Sequence, residues 1–396
     1  MDKITAGVRA FYEAYPYPPG SQADCDGYHA RLLLSYLQHP QGESDTLRVL
    51  EAGCGRGVNL LSVASEQKDI EFTGIDINRV AIDEAAGAAA EKGLGNLRFA
   101  LADLLNRQTL TMPGGGYHVI LSYGVIHHLS DPLQGLRQLR EILAPHGVIA
   151  LMVDGCYGRQ PLDRYLQALA IVESRHRSPE TRLPLARALA RVAEKALFKR
   201  TCWQGTADVE AVEFADRCLH VHERSYDING LWQLLESAGL RFIRWLEPAD
   251  WSLSGLTDDP ELLRRLQALD ETSRYRLLER LVYRPKLTLV AARQADMPRK
   301  PLQRHQMISS RFLLNPQLHM IEGEGSELCC RLRRRRLDLH RNGCAQRILL
   351  QAKALSAEFT GQTMIGLLGK PGFEPDQVVD GLHRMVEKEL LYCPHS

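Results

Sequence analysis

The chain has 396 residues, with 49 Lys plus Arg against 48 Asp plus Glu and a formal net charge of +1. That length exceeds one ordinary core and predicts two or three domains, while the charge balance excludes a global field that would gather nucleic acid or membrane. Nine cysteines with no C-x-x-C pair fit free thiols in a reducing compartment; with no signal peptide and no apolar run near the ~18 residues of a membrane span, the expectation is a soluble cytoplasmic enzyme.

The first distinctive segment is Val8-Arg9-Ala10-Phe11-Tyr12-Glu13-Ala14-Tyr15-Pro16-Tyr17-Pro18-Pro19-Gly20. Its prolines forbid a continuing helix, so it reads as an arm rather than a core element. It is expected either to brace the fold or to close as a lid that turns Tyr12, Tyr15 or Tyr17 toward a cation, which aromatic faces attract. Leu47 to Leu50 then forms an apolar strand that ends on Glu51 and runs into Gly53, Gly55 and Gly57, and Val58 opens a helix. Further strands are predicted at Ile70–Ile75, ending on Asp76; at Leu97–Leu101, ending in Ala102-Asp103-Leu104; and at Tyr117–Leu121, ending in Ser122-Tyr123-Gly124-Val125-Ile126-His127-His128. A helix from Pro132 to Leu143 leads to a fifth strand, Val148–Val153. Strands alternating with helices imply a parallel, doubly wound α/β sheet with ligands at the carboxyl ends of its strands.

The glycine turn departs from the dinucleotide pattern. Its spacing is Gly-x-Gly-x-Gly, and Glu51 would repel a pyrophosphate. A phosphate-free cofactor carrying positive charge fits better, and S-adenosylmethionine (SAM) is one. Glu51 through Gly57 resembles the first motif of the class I SAM-dependent methyltransferases. The resemblance implies a Rossmann-like seven-stranded domain with SAM as cofactor. It also implies a cofactor site of Glu51, Gly53, Gly55 and Gly57, Asp76 with Ile77 at the ribose, Ala102, Asp103 and Leu104 at the adenine edge, and Ser122. A carboxylate suits the ribose because it accepts two hydrogen bonds at once. The Tyr-Glu-x-x-Pro-Tyr-Pro run at Tyr12 to Pro18 resembles the lead-in of a bacterial branch of these enzymes.

Past the fifth strand, helical spacing of Leu162, Tyr165, Leu166, Leu169, Leu185, Leu189, Val192 and Leu197 predicts an insertion over 156–206. It is basic, with ten Lys or Arg against four acids over 156–205, which reads as a solvated face or, more sharply, a docking surface for an acidic partner. Residues 207–293 complete the domain, with a helix closed by Gly239, a strand at Arg241–Leu246 and a last strand at Lys286–Ala292. The run containing His220, His222, Arg224 and Tyr226 resembles one of the same bacterial branch and supplies candidates for the substrate side. His220 and His222 find no third metal ligand at workable spacing in sequence, so no metal is expected. On this reading the arm spans 1–30, the SAM-binding core 31–155 and a Pro-rich basic linker 294–306.

Residues 307–396 are expected to form a small winged-helix-like α+β domain. Its hairpin would pair strands around Glu327–Leu339 and Ala345–Gln351, and helices would follow near Gly361–Leu368 and Pro375–Leu391. Arg331, Arg333 and Arg335 would line one strand face, which is thin for a phosphate track. A module recognising a protein substrate, or a homodimer contact, is expected in preference to nucleic acid.

Methyl transfer from a sulfonium requires mainly positioning and an unprotonated acceptor. His128 or His127 could take a proton from the acceptor, and Tyr17 and Tyr226 could wall its slot. Ser122-Tyr123-Gly124-Val125 stands where base-methylating enzymes carry Asp/Asn-Pro-Pro-Tyr/Phe, which argues against a nucleobase. The arm, insertion and C-terminal module together resemble bacterial multidomain protein-lysine methyltransferases that act on outer-membrane proteins or a translation elongation factor. That resemblance implies N-methylation of a protein lysine. The alternative is a small molecule or secondary metabolite as acceptor.

Overall fold

Residues 2–18, 29–37, 46–173, 178–253, 255–322, 328–332, 335–339, 343–369 and 372–394 are described by the computed structural model. Two compact units divide the chain: Met1–Cys25 with Thr46–Gln294, and Asp26–Asp45 with Ala295–Ser396. Helix α1 (Lys3–Ala14) lies in the first unit and α2 (Ala30–Leu34) in the second. The start of the stretch expected to open the cofactor core thus belongs to the C-terminal unit.

The first unit is built on strands β1 (Leu47–Ala52), β2 (Ile70–Asp76), β3 (Leu97–Leu101), β4 (Tyr117–Tyr123), β5 (Leu143–Asp154), β6 (Leu240–Trp245) and β7 (Lys286–Arg293), in the order β3-β2-β1-β4-β5-β7-β6. The first five are mutually parallel, and β7 runs antiparallel to both β5 and β6. Strand order reverses between β1 and β4, and such a switch point opens a crevice beyond the carboxyl ends of the strands. Val119, Ile120 and Leu121 of β4 are 0% exposed, as a central strand covered on both faces requires. Helices α3 (Val58–Glu66), α4 (Arg79–Glu91), α5 (Pro132–Ile142), α9 (Ile228–Ser237) and α11 (Glu271–Leu281) complete this alternation, with α6 to α8 and α10 defined below. Asn78 caps α4 through Ala81 N–H (3.2 Å), and Asp131 caps α5 through Gln134 N–H (2.9 Å) ahead of Pro132, each satisfying a donor the helix leaves open.

Between β5 and β6 lie α6 (Cys156–Val172), α7 (Pro179–Glu194) and α8 (Ala211–Cys218). Their apolar faces supply Leu162, Tyr165, Leu169, Ala186 and Phe214 to a second core, joined by Phe198 and Trp203 of the segment between α7 and α8 and by Phe11 and Tyr15. The N-terminal segment is therefore a packed helix as far as Ala14, with Phe11 3% and Tyr15 7% exposed. Helix α10 (Pro260–Gln267) precedes α11. No helix among the described residues is long and apolar enough to cross a membrane.

The second unit contains β8 (Arg311–Leu314), β9 (Leu318–Glu322), β10 (Leu328–Leu332), β11 (Arg335–Leu339), α12 (Cys344–Leu355), β12 (Phe359–Thr360), α13 (Gly361–Gly369), α14 (Pro375–Glu387) and β13 (Leu391–Tyr392). Two small antiparallel sheets form, β11-β10-β9 and β12-β8-β13. The expected pairing with Ala345–Gln351 is wrong, because that stretch lies inside α12. Ile348, Leu349 and Ala352 recur at helical spacing and are the buried residues of that helix. The hairpin lies instead within the first predicted strand, with β10 against β11 and Arg331 opposite Arg336. Arg331 and Arg335 thus sit on different strands, with Arg335 paired to Leu332 and Arg331 to Arg336; Arg333 falls outside the described residues.

Candidate active site

The loop after β1 turns through three left-handed glycines, Gly53 (φ 80°), Gly55 (φ 52°) and Gly57 (φ 67°). A Cβ on Gly55 would lie 2.6 Å from the carbonyl oxygen of Tyr17, and one on Gly53 would lie 2.2 Å from Val125 Cγ2. Both the conformation and the close approach of the chain after α1 therefore require a residue without a side chain. Asp76, at the end of β2, accepts Gly55 N–H through Oδ2 and Asn78 N–H through Oδ1, each at 2.8 Å. Burial raises its pKa, opposed by N–H groups of Asn78, Gly55 and Ile77.

Asp76 O accepts the N–H of Ala102 (2.9 Å), which brings the end of β3 beside it. Asp103 accepts Leu105 N–H (2.9 Å), and its own N–H donates to Thr109 Oγ1 (2.9 Å), folding this loop on itself. Leu104 is buried in the core, and Glu51 is 6% exposed at the end of β1. Ser122 is 0% exposed at the end of β4, and its Oγ has no hydrogen-bond partner among the described residues. The ten residues expected at the cofactor thus all lie at the carboxyl ends of β1 to β4. A glycine cradle, an orphaned buried hydroxyl and a ribose-type carboxylate together fit SAM.

Beyond β4 the chain makes a tight turn over Ile126–His128. His127 Nε2 lies 3.4 Å from Asp154 Oδ2, yet burial and then the Arg159 charge push its pKa down to about 3, so the ring is neutral. His128 Nδ1 is 3.0 Å from the main-chain oxygen of His222. A carbonyl only accepts, so Nδ1 carries the proton and Nε2 keeps its lone pair; burial holds the ring far below its ordinary pKa. His220 shows the opposite tautomer, since its Nδ1 accepts His222 N–H at 3.1 Å and its proton must sit on Nε2. The His128 and His220 rings are 3.9 Å apart, with Phe11 at 4.9 Å and Tyr12 at 5.4 Å from His220.

Three carboxylates that sequence reading had not singled out converge on this turn. Asp154 ends β5, and Arg159, one turn into α6, donates to it at 2.5 Å and also to Glu223. Burial pushes Glu223 up to about 7 despite Arg159. Asp216 of α8 accepts the hydroxyl of Tyr12 at 3.0 Å, and burial pushes its pKa up to about 6. Asp154 carried a legible signal, an acid ending a strand as Asp76 ends β2. The others carried none, because they meet only through packing.

Among the other predicted residues, Tyr17 lies across Gly55 by its backbone, and its phenol bonds Glu213, with burial the main cause of its raised pKa. Tyr226 N–H donates to Asp154 O (2.8 Å), which fixes the following loop to β5, while its ring packs against the core. Arg224 turns outward to Ser130 O (3.0 Å). The fold also brings together what spacing in sequence had separated: His128, His220 and Glu223 hold ligand-type atoms within 4.8 Å of one another. Two contacts disfavour a metal there. The His220 proton sits on Nε2, and Arg159 occupies Glu223.

A family model described as a methyltransferase domain matches residues 43–215. An uncharacterized protein of Synechococcus, syc1184_c, is 30% identical over 298 residues, covering 71% of this chain and 69% of that protein. The ubiquinone biosynthesis O-methyltransferase of Caulobacter sp. is 34% identical over 128 residues, 32% of this chain, and the match spans 45% of that enzyme's own length. Among solved structures, PKMT2 from Rickettsia typhi in complex with AdoHcy superposes with a TM-score of 0.71 at 15% identity, over 96% of this chain and 77% of that one. This last likeness is one of fold.

Proposed function

Since the chain belongs to the class I SAM-dependent methyltransferases, we propose that it N-methylates the side chain of a protein lysine. SAM is its cofactor, and when bound it supplies a methyl group on a positively charged sulfur. We infer that Glu51 and the loop of Gly53, Gly55 and Gly57 hold its amino-acid end. Asp76 and Ile77 would hold the ribose, Ala102, Asp103 and Leu104 the adenine edge, and Ser122 would offer its unpartnered hydroxyl.

The observation that carries the reading is the cluster in which Tyr12 and the neutral rings of His127, His128 and His220 gather with three carboxylates, Asp154, Glu223 and Asp216, and the Arg159 guanidinium; we infer the substrate chamber there. Aromatic faces and carboxylates attract an ammonium. Burial among the rings acts the other way, since desolvation disfavours the charged state and so favours the neutral, nucleophilic amine. His128, with its proton held on Nδ1 by His222, offers Nε2 as a hydrogen-bond acceptor that aims the amine. It is too weak a base to keep the proton. Tyr17, whose phenol bonds Glu213, and Tyr226, whose N–H is fixed to Asp154 O, are the flanking residues we assign to the substrate side. The likeness to PKMT2 of Rickettsia typhi is one of fold and extends over 96% of this chain.

Mass spectrometry of lysate proteins after incubation with the enzyme and deuterated-methyl SAM tests it, and the expected outcome is label on lysine. Label confined to metabolites would establish the second reading, a small-molecule acceptor, which the ubiquinone O-methyltransferase match over the catalytic third favours.

A further inference from the structure

An amine entering the chamber as an ammonium needs a counter-ion, and the carboxylates there are not equivalent. Asp154 and Glu223 share the one Arg159 guanidinium. Asp216 has Tyr12 as its hydrogen-bond partner, with no ion pair among the described residues. We propose that Asp216 is the counter-ion and first proton acceptor of the substrate amine, its carboxylate fixed by the Tyr12 hydroxyl; this rests on the lysine reading above.

Three further observations support it. Tyr12 is tied to the cofactor loop, since its carbonyl accepts Asn78 Nδ2–H at 2.9 Å and Asn78 N–H donates to Asp76 at 2.8 Å. Asp216 is therefore linked to the cofactor acid through two hydrogen-bonded residues. Next, His127 Nδ1 and His220 Nε2 are buried without hydrogen-bond partners among the described residues, and orphaned polar atoms of this kind mark room for a polar ligand. Finally, the nearest acidic neighbour on the same helix is already matched: Glu213 bonds Arg217 at 2.6 Å. The groups acting on Asp216 are Tyr12 of α1, Glu213 of α8, Asp154 of β5, Glu223 of the following loop and Lys286 of β7. Tyr17 bonds Glu213 and feels Asp216 as well. Near neutral pH this balance leaves Asp216 ionised and able to be protonated. In the proton step one N–H bond of the ammonium breaks and an O–H bond forms on Asp216. The electron pair stays on nitrogen, and the carboxyl later returns its proton to water.

The test uses the full chain and Asp216→Asn, whose amide oxygen can still accept from Tyr12. The first probe is n-butylammonium binding to the protein saturated with S-adenosylhomocysteine, read by saturation-transfer NMR. The second is kcat/KM against pH for a peptide bearing the lysine labelled in lysate. Asp216→Asn should weaken n-butylammonium and lower kcat/KM by about 10- to 100-fold, remove the acid limb of the profile near pH 6, and leave S-adenosylhomocysteine affinity within about 2-fold. Should Asp216→Asn not fold, Tyr12→Phe serves instead. Losing a bond that favours the ionised carboxylate moves the acid limb to higher pH, whereas loss of packing alone would not. Equal n-butylammonium affinity in wild type and Asp216→Asn, or an acid limb unmoved in Tyr12→Phe, overturns the proposal. Asp216-dependent n-butylammonium binding without any labelled lysine would overturn the lysine reading and leave the cation site standing.

Discussion

Replacing Arg159 by leucine tests how the chamber is held together. The guanidinium is 7% exposed and bonds Asp154 at 2.5 Å as well as Glu223. Its loss strands two carboxylates in a site that cannot hydrate them, and breaking a buried ion pair from one side costs about 3–5 kcal/mol. For a domain of this size that corresponds to a fall in Tm of roughly 6–20 °C. The sign of the pH dependence is fixed independently. Glu223 already titrates near 7 in the folded chain, above its ordinary 4.5, and without Arg159 it must rise further. A carboxyl whose folded pKa is raised stabilises the fold below its unfolded pKa, and that stability is lost as pH climbs through the folded value. The Arg159→Leu deficit should therefore be largest at pH 8 and shrink toward pH 5. Adding Glu223→Gln should restore part of it at pH 8. Urea titration followed by tryptophan fluorescence is suited to the measurement, because Trp203 lies 5.7 Å from the Arg159 guanidinium. A deficit under about 1 kcal/mol, or one that grows on acidification, would refute the buried-pair account.

Two substitutions address the cofactor side. Asp76→Ala removes a carboxylate that organises the Gly55 and Asn78 N–H groups, and calorimetry should show SAM binding weakened about 10- to 100-fold; unchanged affinity would mean the carboxylate does not face the cofactor. Gly55→Val puts a branched side chain at φ 52° and 2.6 Å from the Tyr17 carbonyl, so it should abolish SAM binding and lower stability by about 1–3 kcal/mol, both read from melting curves with and without SAM.

The cofactor side was legible because its signals are local. A strand ending on Glu51, three glycines that the turn requires, and acids at the next strand ends are properties of neighbouring residues; their alternation implied a doubly wound sheet, and the family resemblance implied its seven strands. The acceptor side was legible only in part: the His127-His128 pair, Tyr12 and His220 stand out in the sequence, whereas Asp216 and Arg159 do not. Tyr12 and Asp216 are 204 residues apart in sequence, and Arg159 sits among arginines that differ from it only in where the insertion folds them. In the second unit the error had another cause. Residues 345–351 carry apolar side chains dense enough to pass for a strand, and the recurrence of buried Ile348, Leu349 and Ala352 at helical spacing decided the matter once packing was known.

The basic insertion shows why net charge is a poor guide to a partner. Among the described residues three of its eight positive side chains, Arg159, Arg182 and Arg187, face inward. Arg159 neutralises the chamber, and Arg187 donates to Ala207 O and Val209 O, both at 2.6 Å, with its guanidinium 4.9 Å from the Phe214 ring. Arg182 is 8% exposed. Arginine suits these places because its fork satisfies several acceptors at once while its stem packs against apolar surface. What remains outward on the described residues is Arg164, Arg191, Lys195, Lys199 and Arg200, and Arg191 already faces Asp208 at 3.7 Å. Exposed pairs and isolated lysines contribute little to affinity at physiological salt. Acceptor choice is therefore better sought in the chamber, where few charges are buried and each is held by a named partner, than in the counted charge of the helices around it.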